Sequence, residues 1–382
     1  MIKIVLAGSS GYGGVYLRFL WDHCQDYEID IAGVVDPYVE KSPYYQTLQE
    51  KNIPLFNSME DFYQTGKADL AIIASPIQFH ASQTEIALMN GSNVLCEKPV
   101  CAGMEDIERM AGFKDKYKGF VEVGYQWSYA EAILDLKKDI LAGVFGKAEY
   151  FKTLVSWPRS HAYFNRNNWA GKIKTQSGQT ILDSVANNAT AHYLHNMFFL
   201  SGKTMSEAVL PQIEDCVLGV ANDIENFDTV TVRSKTNDGT VIYFAAAHPV
   251  AVNKGPVFEL KFEKATVTYH AQEQQEIIAV FGDGSQRSYG DPSATDWRKL
   301  TMCLDKILHP ENELPCNIET ALPHAKFMVQ LYQLYPVRRF KEDSIRIMEV
   351  RNAPVTVVDG LDETMQKSYE CMSMLPGDRL GR

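Results

Sequence analysis

The stretch "ADLAIIASPIQFHASQTEIALMNGSNVLCEKPVCAG", residues 68–103, decides the fold. It opens with a short apolar run, continues with a segment of helical character that stops at Gly91, and returns to a second apolar run. Glycine is a common residue at the C-terminal end of a helix. Strands that alternate with helices are typical of a parallel sheet covered on both faces. The stretch therefore predicts a strand, a helix and a second, parallel strand.

The same alternation extends over the whole N-terminal third of the chain. Its apolar runs are "IKIVLAG", "IDIAGVVD", "LAIIASP", "NVLCEKP" and "FVEVGYQ". Short apolar runs separated by helical segments predict βαβ units. We therefore expect residues 1–124 to form an α/β domain with a Rossmann-type doubly wound parallel sheet.

The remainder of the chain has a different pattern. Residues 227–248, "FDTVTVRSKTNDGTVIYFAAAH", contain Asn237-Asp238-Gly239 between two alternating runs, which is a strong hairpin signal. The predicted second domain, residues 125–382, is an α+β domain with a large, mainly antiparallel sheet.

Bulk properties restrict the class of protein. A length of 382 residues suggests two domains. The net charge of -11, with no basic block, argues against a nucleic-acid partner. No apolar run approaches the ~20 residues of a membrane helix, and the seven scattered cysteines indicate neither a disulfide framework nor a metal site. The first residues read as a strand rather than as a signal peptide, so we expect a cytoplasmic protein with a small-molecule ligand.

The first strand ends in a glycine-rich loop, "AGSSGYGG", residues 7–14. Gly8 and Gly13 occupy the first and third places of the dinucleotide fingerprint, and Ser10 stands where the second glycine is expected. The Ser10 hydroxyl can donate to a phosphate, and Gly11 can allow the close backbone approach. The motif by itself is equally compatible with a plain glycine-rich turn.

An acidic residue follows the second strand at the spacing of the fingerprint. Asp36 lies 23 residues after Gly13, close to the ~20 expected for the carboxylate that binds the adenosine ribose. A carboxylate there repels a 2′-phosphate, so NAD is favoured over NADP. The alternative is an ordinary turn at Asp36-Pro37.

The next two strands end abruptly at Pro76 and Pro99. Ligands bind at the carboxyl ends of the strands in open parallel sheets. Ser75, Glu97 and Lys98 are therefore expected at the floor of a crevice, with Lys98 beside the nicotinamide. Partial desolvation lowers the pKa of an ammonium toward the range of a general acid or base.

Residues 68–103, with "VGYQWSY" at 123–129, resemble the glucose-fructose oxidoreductase, inositol dehydrogenase and rhizopine-catabolism (Gfo/Idh/MocA) family. The resemblance implies an NAD(P)-dependent enzyme acting on a sugar, polyol or inositol, and a homodimer or homotetramer. It implies that residues 1–124 bind NAD(P) and that residues 125–382 bind the substrate and mediate oligomerisation. It also implies that Lys98 contacts substrate and nicotinamide, that Glu97 places the cofactor, and that the bond before Pro99 is cis. The expected cofactor-binding residues are Gly8, Ser10, Gly11, Tyr12, Gly13, Asp36, Ser75, Pro76, His80, Glu97, Lys98 and Gln126.

The family has a further motif, an Asp followed four residues later by a His on a helix. Residues 178–202, "GQTILDSVANNATAHYLHNMFFLSG", fit this motif in two registers. One pairs Asp183 with an asparagine, and the other pairs Asn188 with His192. On a continuous helix Asn188, His192 and His195 share one face. We therefore predict His192 as a catalytic base, Asn188 and His195 as substrate-binding residues, and Asp183 as a catalytic residue or a helix N-cap.

An aromatic and polar segment precedes that motif. Residues 156–172, "SWPRSHAYFNRNNWAGK", combine aromatic rings with planar polar groups. Such a segment suits a sugar ring, whose C–H face stacks on aromatic side chains, and a loop of this kind can close over a site. Trp169 is the predicted substrate contact. The alternative is a connection that buries its aromatic residues under the sheet.

These features predict hydride transfer between a nicotinamide and a secondary alcohol of a carbohydrate-like substrate, with Lys98 or His192 taking the proton. One alternative is an enzyme that retains NAD and uses it transiently, with an epimerase, lyase or glycosidase-type net reaction. The other is a non-catalytic sensor that binds the dinucleotide.

Overall fold

The computed structural model describes residues 1–294 and 297–381. The strands are β1 (Ile2–Ala7), β2 (Ile29–Val35), β3 (Leu55–Phe56), β4 (Leu70–Ile73), β5 (Asn93–Cys96), β6 (Val121–Val123), β7 (Ala148–Ser156), β8 (Gln212–Val220), β9 (Thr229–Lys235), β10 (Val241–Ala247), β11 (Lys254–Phe262), β12 (Ala265–His270), β13 (Ile277–Phe281), β14 (Gln286–Gly290), β15 (Val337–Arg339), β16 (Ile345–Val350) and β17 (Ala353–Val358). The α-helices are α1 (Tyr12–Asp22), α2 (Tyr45–Glu50), α3 (Met59–Thr65), α4 (His80–Met89), α5 (Met104–Ala111), α6 (Phe113–Lys116), α7 (Glu131–Leu141), α8 (His161–Phe164), α9 (Ala191–Leu200), α10 (Arg298–Leu308), α11 (Ile318–Leu334) and α12 (Leu361–Cys371). None of the described helices is both long and apolar enough to cross a membrane.

The chain forms two compact units. The first comprises Met1–Gln126 and Trp297–Leu322, and the second comprises Trp127–Asp296 and Pro323–Arg382. This division differs from the predicted domains, 1–124 and 125–382, because the chain returns to the first unit late in the sequence. Leu300, Cys303 and Leu304 of α10 are buried in the core under the parallel sheet. Helix α10 thus belongs to the first unit because its apolar face packs there.

The first unit contains a six-stranded parallel sheet in the order β3-β2-β1-β4-β5-β6. This confirms the predicted Rossmann-type fold. The central strands β1, β4 and β5 are almost entirely buried, as expected for strands covered on both faces. The strand order reverses between β1 and β4, and such a switch point forms a crevice at the carboxyl ends of the strands.

The second unit contains a nine-stranded sheet in the order β14-β13-β12-β11-β7-β10-β9-β8-β15. Neighbouring strands are antiparallel except for β7 with β10 and β8 with β15, which are parallel. The predicted mainly antiparallel sheet is therefore confirmed. The predicted hairpin joins β9 and β10, where Gly239 has a φ of 96°.

Helices cover both faces of this second sheet. Alternate residues of β10 point to opposite faces, so that Phe244 packs in the core with α7 and α9, and Tyr243 packs with α12. Burial on both faces explains why β10 reads as a continuous apolar run. The hairpin of β16 and β17 lies beside α8, where His161 bonds Thr356 over 3.0 Å.

Candidate active site

The glycine loop after β1 has a geometry that only glycine fits. Gly8 has a φ of +94°, and a Cβ there would lie 2.7 Å from the carbonyl oxygen of Ala74. A Cβ on Gly13 would lie 2.1 Å from the carbonyl oxygen of Gly8. Gly11, with a φ of +54°, has nothing within 4 Å of its Cβ position. The loop is therefore tight against β4 at one end and open at Gly11.

This loop leads directly into α1, whose N-cap is Gly11. The backbone N–H groups and the dipole of a helix N-terminus favour a negative charge. Ser10, Gly11 and Tyr12 are exposed, so an anion can reach them. The open space at Gly11 and the close packing of Gly8 and Gly13 fit the pyrophosphate of a dinucleotide.

Asp36, at the end of β2, is held by the same loop. Its Oδ2 accepts hydrogen bonds from the backbone N–H and the hydroxyl of Ser9, at 3.0 and 2.6 Å, and its Oδ1 accepts one from the Tyr38 N–H at 2.9 Å. A carboxylate has about four acceptor positions. Asp36 can thus accept a further donor, such as a ribose hydroxyl, from a fixed position. Ser9 was not predicted, and its only sequence signal is its place inside the glycine loop.

His80 joins the ends of β4 and β5. Its Nε2 lies 2.8 Å from the carbonyl oxygen of Ser75, and its Nδ1 lies 2.9 Å from that of Pro99. Burial lowers the pKa of His80, although the two carbonyl groups oppose this effect. The structure therefore shows His80 as a buried link between the two strand ends, and its contact with the cofactor stays a prediction. Ser75 also donates from its hydroxyl to Gln83, at 2.6 Å.

The turn after β5 is held by a buried carboxylate. The Lys98–Pro99 bond is cis, which confirms that prediction. Glu97 Oε2 accepts from the Lys98 N–H at 3.3 Å, and Oε1 accepts from the Tyr16 hydroxyl at 2.7 Å and from Lys299 Nζ. The Glu97 side chain is thus fixed by three donors.

Lys299, on α10, is a second site residue, besides Ser9, that the sequence did not predict. Its side chain is fully buried, and its Nζ lies 4.3 Å from the centre of the Tyr12 ring. Burial alone lowers the pKa of Lys299, but the Glu97 carboxylate and Tyr12 raise it, and the net result is a pKa above the ordinary value. The cation therefore joins the glycine loop to the turn that carries Lys98. A lysine among buried apolar positions of an amphipathic helix was the available signal.

In the second unit, the predicted continuous helix is divided. Residues Val185–Ala189 form a π-helical turn, and α9 begins only at Ala191. The N-cap of the π turn is Ser184, whose side chain accepts from the Asn187 N–H at 3.2 Å. Asp183 is therefore not the N-cap. Single π turns inside helices are frequent at functional sites.

Asp183 is buried and connects this turn to the aromatic segment. Its Oδ2 accepts from the Gly171 N–H at 2.6 Å, and its Oδ1 accepts from Asn188 Nδ2 at 2.7 Å. Arg166 Nη2 lies 3.9 Å from Oδ2. These contacts give Asp183 a positioning role for Asn188 and for the loop that contains Trp169. Its predicted catalytic role stays a prediction.

The two predicted histidines differ in exposure. His192 and Asn188 are partly exposed, whereas His195 is fully buried. His195 Nδ1 lies 3.4 Å from the Ser128 hydroxyl, and its ring stacks on Phe199. His192 and His195 lie three residues apart in α9 and share a face of that helix, whereas the π turn separates Asn188 from it. The burial gives its predicted substrate contact no support, and the role of His192 stays a prediction.

The aromatic segment contains both a buried part and an exposed part. Trp157 Nε1 donates to the Gly255 carbonyl at 3.0 Å and packs beside the core. Trp169 is partly exposed, and its backbone N–H donates to Asn167 Oδ1 at 3.1 Å. The guanidinium of Arg166 lies 5.2 Å from the Trp169 ring centre. Trp169 is thus held through its backbone by Asn167, and its side chain is partly exposed beside Arg166.

Comparison with known proteins identifies what the chain is similar to. Residues 2–125 match the family model of the Gfo/Idh/MocA proteins, which is described as an oxidoreductase family with an NAD-binding Rossmann fold. The chain is 30% identical over 131 residues to inositol 2-dehydrogenase of Corynebacterium glutamicum, covering 34% of this chain and 36% of the relative. It is 24% identical over 168 residues to 2,7-anhydro-N-acetylneuraminate hydratase of Mediterraneibacter gnavus, covering 44% and 40%. The chain thus spans less than half the length of these curated relatives.

A likeness to solved structures extends over both units. The WlbA dehydrogenase of Bordetella pertussis, solved in complex with NADH and UDP-GlcNAcA, superimposes with a TM-score of 0.72 at 19% identity. The superposition covers 87% of this chain and 95% of that chain. At this identity the likeness shows the fold alone.

Proposed function

We propose that the chain is an NAD-dependent dehydrogenase of sugar-like substrates, because residues 2–125 match the Gfo/Idh/MocA oxidoreductase family model, with its NAD-binding Rossmann fold. It transfers a hydride between the nicotinamide and a secondary alcohol of a sugar, polyol or inositol. The observation that carries the proposal is the turn Glu97–Pro99, which holds Lys98 at the carboxyl end of β5 beside the glycine loop.

The cofactor-binding residues are proposed from their positions around the carboxyl ends of the strands. The glycine loop binds the pyrophosphate at the N-terminus of α1, and Asp36 accepts hydrogen bonds from the adenosine ribose. The Asp36 carboxylate disfavours a 2′-phosphate, so NAD is bound in preference to NADP. The remaining proposed contacts, near the nicotinamide, are Ser75, Pro76, His80, Glu97, Lys98 and Gln126.

Bound NAD supplies the acceptor for the substrate hydride. The hydroxyl proton of the substrate moves to Lys98 Nζ or to the imidazole of His192, and a positioned general base of this kind contributes about 10²–10⁴ in rate. Asp183 fixes the amide of Asn188 through the 2.7 Å hydrogen bond, so that Asn188 orients a substrate hydroxyl. Trp169 stacks on the C–H face of the ring.

One relative favours a second candidate function. The hydratase of Mediterraneibacter gnavus is named for a net reaction that adds water rather than one that oxidises. An enzyme of this type retains NAD and uses it transiently, so that no net NADH appears. Purified protein that carries NAD through several buffer exchanges, and converts a sugar without net NADH, is the expected sign of that function.

The dehydrogenase is tested by NADH appearance when the protein and NAD are offered a panel of sugars, inositols and sugar acids. We expect NADH with one class of substrate and a lower rate with NADP. The control is the same panel with protein in which Lys98→Ala removes the proposed base. NAD binding without conversion of any member of the panel would contradict catalysis and favour a dinucleotide sensor.

The glycine loop gives a separate test of cofactor binding. Gly8→Ala places a Cβ 2.7 Å from a backbone oxygen, so the loop has to move. We expect the Kd for NAD, measured by calorimetry, to rise at least about tenfold. Gly91→Ala is the matched control, because Gly91 has a similar φ of +85° but nothing within 4 Å of its Cβ position.

Gly91→Ala is expected to lower the free energy of unfolding by about 1–2 kcal/mol, the cost of the left-handed conformation, and to leave NAD affinity unchanged. Equal NAD affinities of the two variants would exclude the proposed role of the loop.

The homodimer or homotetramer and the cytoplasmic location stay predictions. Light scattering of the purified protein tests the oligomeric state.

A further inference from the structure

A cluster of three arginines lies in the second unit, and one of them, Arg166, lies 3.9 Å from Asp183. On the basis of the function proposed above, we propose that Arg159, Arg166 and Arg351 bind an oxyanion of the substrate, so that the substrate is an acidic sugar, carrying a carboxylate or a phosphate, rather than a neutral one. The inference names the substrate class of the same reaction and rests on that proposed function.

Arg159 is partly buried and forms no ion pair with a carboxylate of the described residues. Its guanidinium carbon lies 5.4 Å from the ring centre of Trp157 and 4.9 Å from that of Tyr163. Its Nε is shielded from solvent and has no hydrogen-bond partner among residues 1–294 and 297–381. A buried donor on a charged group is unfavourable unless an acceptor reaches it. Arg159 is therefore prepared for an anionic ligand.

Two further cations lie close to Arg159. Burial is the main cause that lowers the pKa of Arg159, and the charges of Arg166 and Arg351 lower it further. Arg166 also stacks on Tyr163, with its guanidinium carbon 3.9 Å from the centre of that ring. Like charges placed together repel, and a bound anion removes that repulsion.

Arg351 is held in place by the hairpin that carries it. It lies in the turn between β16 and β17, with a φ of 53°. The hairpin is fixed to the aromatic segment by the His161–Thr356 hydrogen bond of 3.0 Å and by an antiparallel bridge between Ser160 and Val355. The position of Arg351 near Arg159 is therefore a consequence of tertiary contacts within this unit.

The local charge balance is positive although the chain is acidic. Asp183, 3.9 Å from Arg166, is the one carboxylate that forms an ion pair with the cluster in the described part of the chain. Neither Arg159 nor Arg351 has a described carboxylate oxygen within 4.0 Å. Three cations thus face one anion, against a net charge of -11 for the whole chain. Burial is the main cause that lowers the pKa of His248 to about 3, and the positive charges of Arg159 and Arg166 lower it further.

The chemistry of the cluster selects an oxyanion. The planar guanidinium fork matches the two oxygens of a carboxylate or phosphate with parallel hydrogen bonds. The partly exposed ring of Trp169, whose centre lies 5.2 Å from the guanidinium carbon of Arg166, offers a stacking surface for a sugar ring. Stacking of one arginine on an aromatic ring is common in protein cores, but such stacking does not explain why two further arginines lie near the first.

Calorimetry at constant ionic strength tests the inference on the full chain, with D-glucuronate, D-glucose 6-phosphate, inorganic phosphate and D-glucose as probes. We expect the three anions to bind and D-glucose to bind at least about tenfold more weakly. Arg159→Gln and Arg351→Gln are each expected to weaken anion binding about 10- to 100-fold, the effect of losing a hydrogen bond to a charged group. Because Arg351 is exposed at a turn, its variant keeps the fold if Arg159→Gln does not.

The matched control is Arg346→Gln, on the same hairpin, whose guanidinium pairs with Asp359 at 3.1 Å. It is expected to bind all probes as the wild type does. Tighter binding of D-glucuronate than of both phosphates assigns a sugar acid, and the reverse order assigns a sugar phosphate. Absence of anion binding by the wild type, or equal binding by Arg351→Gln, overturns the inference.

The outcome is separable from that of the proposed function. Arginine-dependent anion binding without NADH from any substrate supports the anion site and contradicts the dehydrogenase. NADH production from neutral sugars, with the same kcat/KM in Arg351→Gln, supports the dehydrogenase and overturns the anion site.

Discussion

Lys98→Ala is expected to lower kcat by about 10²–10⁴-fold, the contribution of a positioned general acid or base. Lys98 follows Glu97, the first residue after β5, and the buried Glu97 side chain holds the turn by accepting a hydrogen bond from the Lys98 N–H. The pyrophosphate and ribose contacts proposed for NAD lie on other residues, so the Kd for NAD should change little. The measurement is steady-state NADH formation with the substrate found in the panel, together with calorimetry of NAD.

The matched control for this variant is Lys118→Ala, which removes an exposed lysine of the same unit. It is expected to leave kcat and the Kd for NAD unchanged. His192→Ala completes the series. The residue whose replacement by alanine lowers kcat more, Lys98 or His192, is the proton acceptor. Turnover by Lys98→Ala at the wild-type rate would remove Lys98 from the mechanism.

Lys299→Met is expected to lower the free energy of unfolding by about 3–5 kcal/mol, as measured by urea denaturation. The reason is that Lys299 is fully buried and pairs with the buried Glu97, so its removal leaves an uncompensated carboxylate in the core of the first unit. Replacing both charges, Glu97→Gln with Lys299→Met, should recover most of that loss, since no buried charge then remains.

The comparison for this pair is Lys114→Met in the same unit. Lys114 pairs with Glu319 at 3.2 Å but is 74% exposed, and surface pairs contribute about 0–1 kcal/mol. A loss for Lys299→Met as small as that for Lys114→Met would show that burial does not strengthen the pair. A double variant no more stable than Lys299→Met alone would show that the lysine acts through packing rather than through charge.

Local sequence signals predicted most of the fold. Strand-length apolar runs, the helix stop at Gly91 and the hairpin at Asn237–Gly239 each depend on neighbouring residues, and all three appear in the structure. The Glu-Lys-Pro motif with its cis bond was also predicted, from family resemblance. The division of the 178–202 segment was not predicted, because the residues of the π turn, Val185–Ala189, include no glycine or proline that would indicate a break in a helix.

The amino-acid order alone thus determined the Rossmann-type unit, the mainly antiparallel second unit and the residues that follow each parallel strand, because turn chemistry and periodicity act over a few residues. Only the tertiary structure decided which distant groups meet. Lys299 reaches Glu97 across 202 positions because α10 packs back under the first sheet, and Arg351 approaches Arg159 because a hairpin docks on the aromatic segment. Contacts of this kind depend on packing of apolar faces over long chain separations, and no short-range pattern records them.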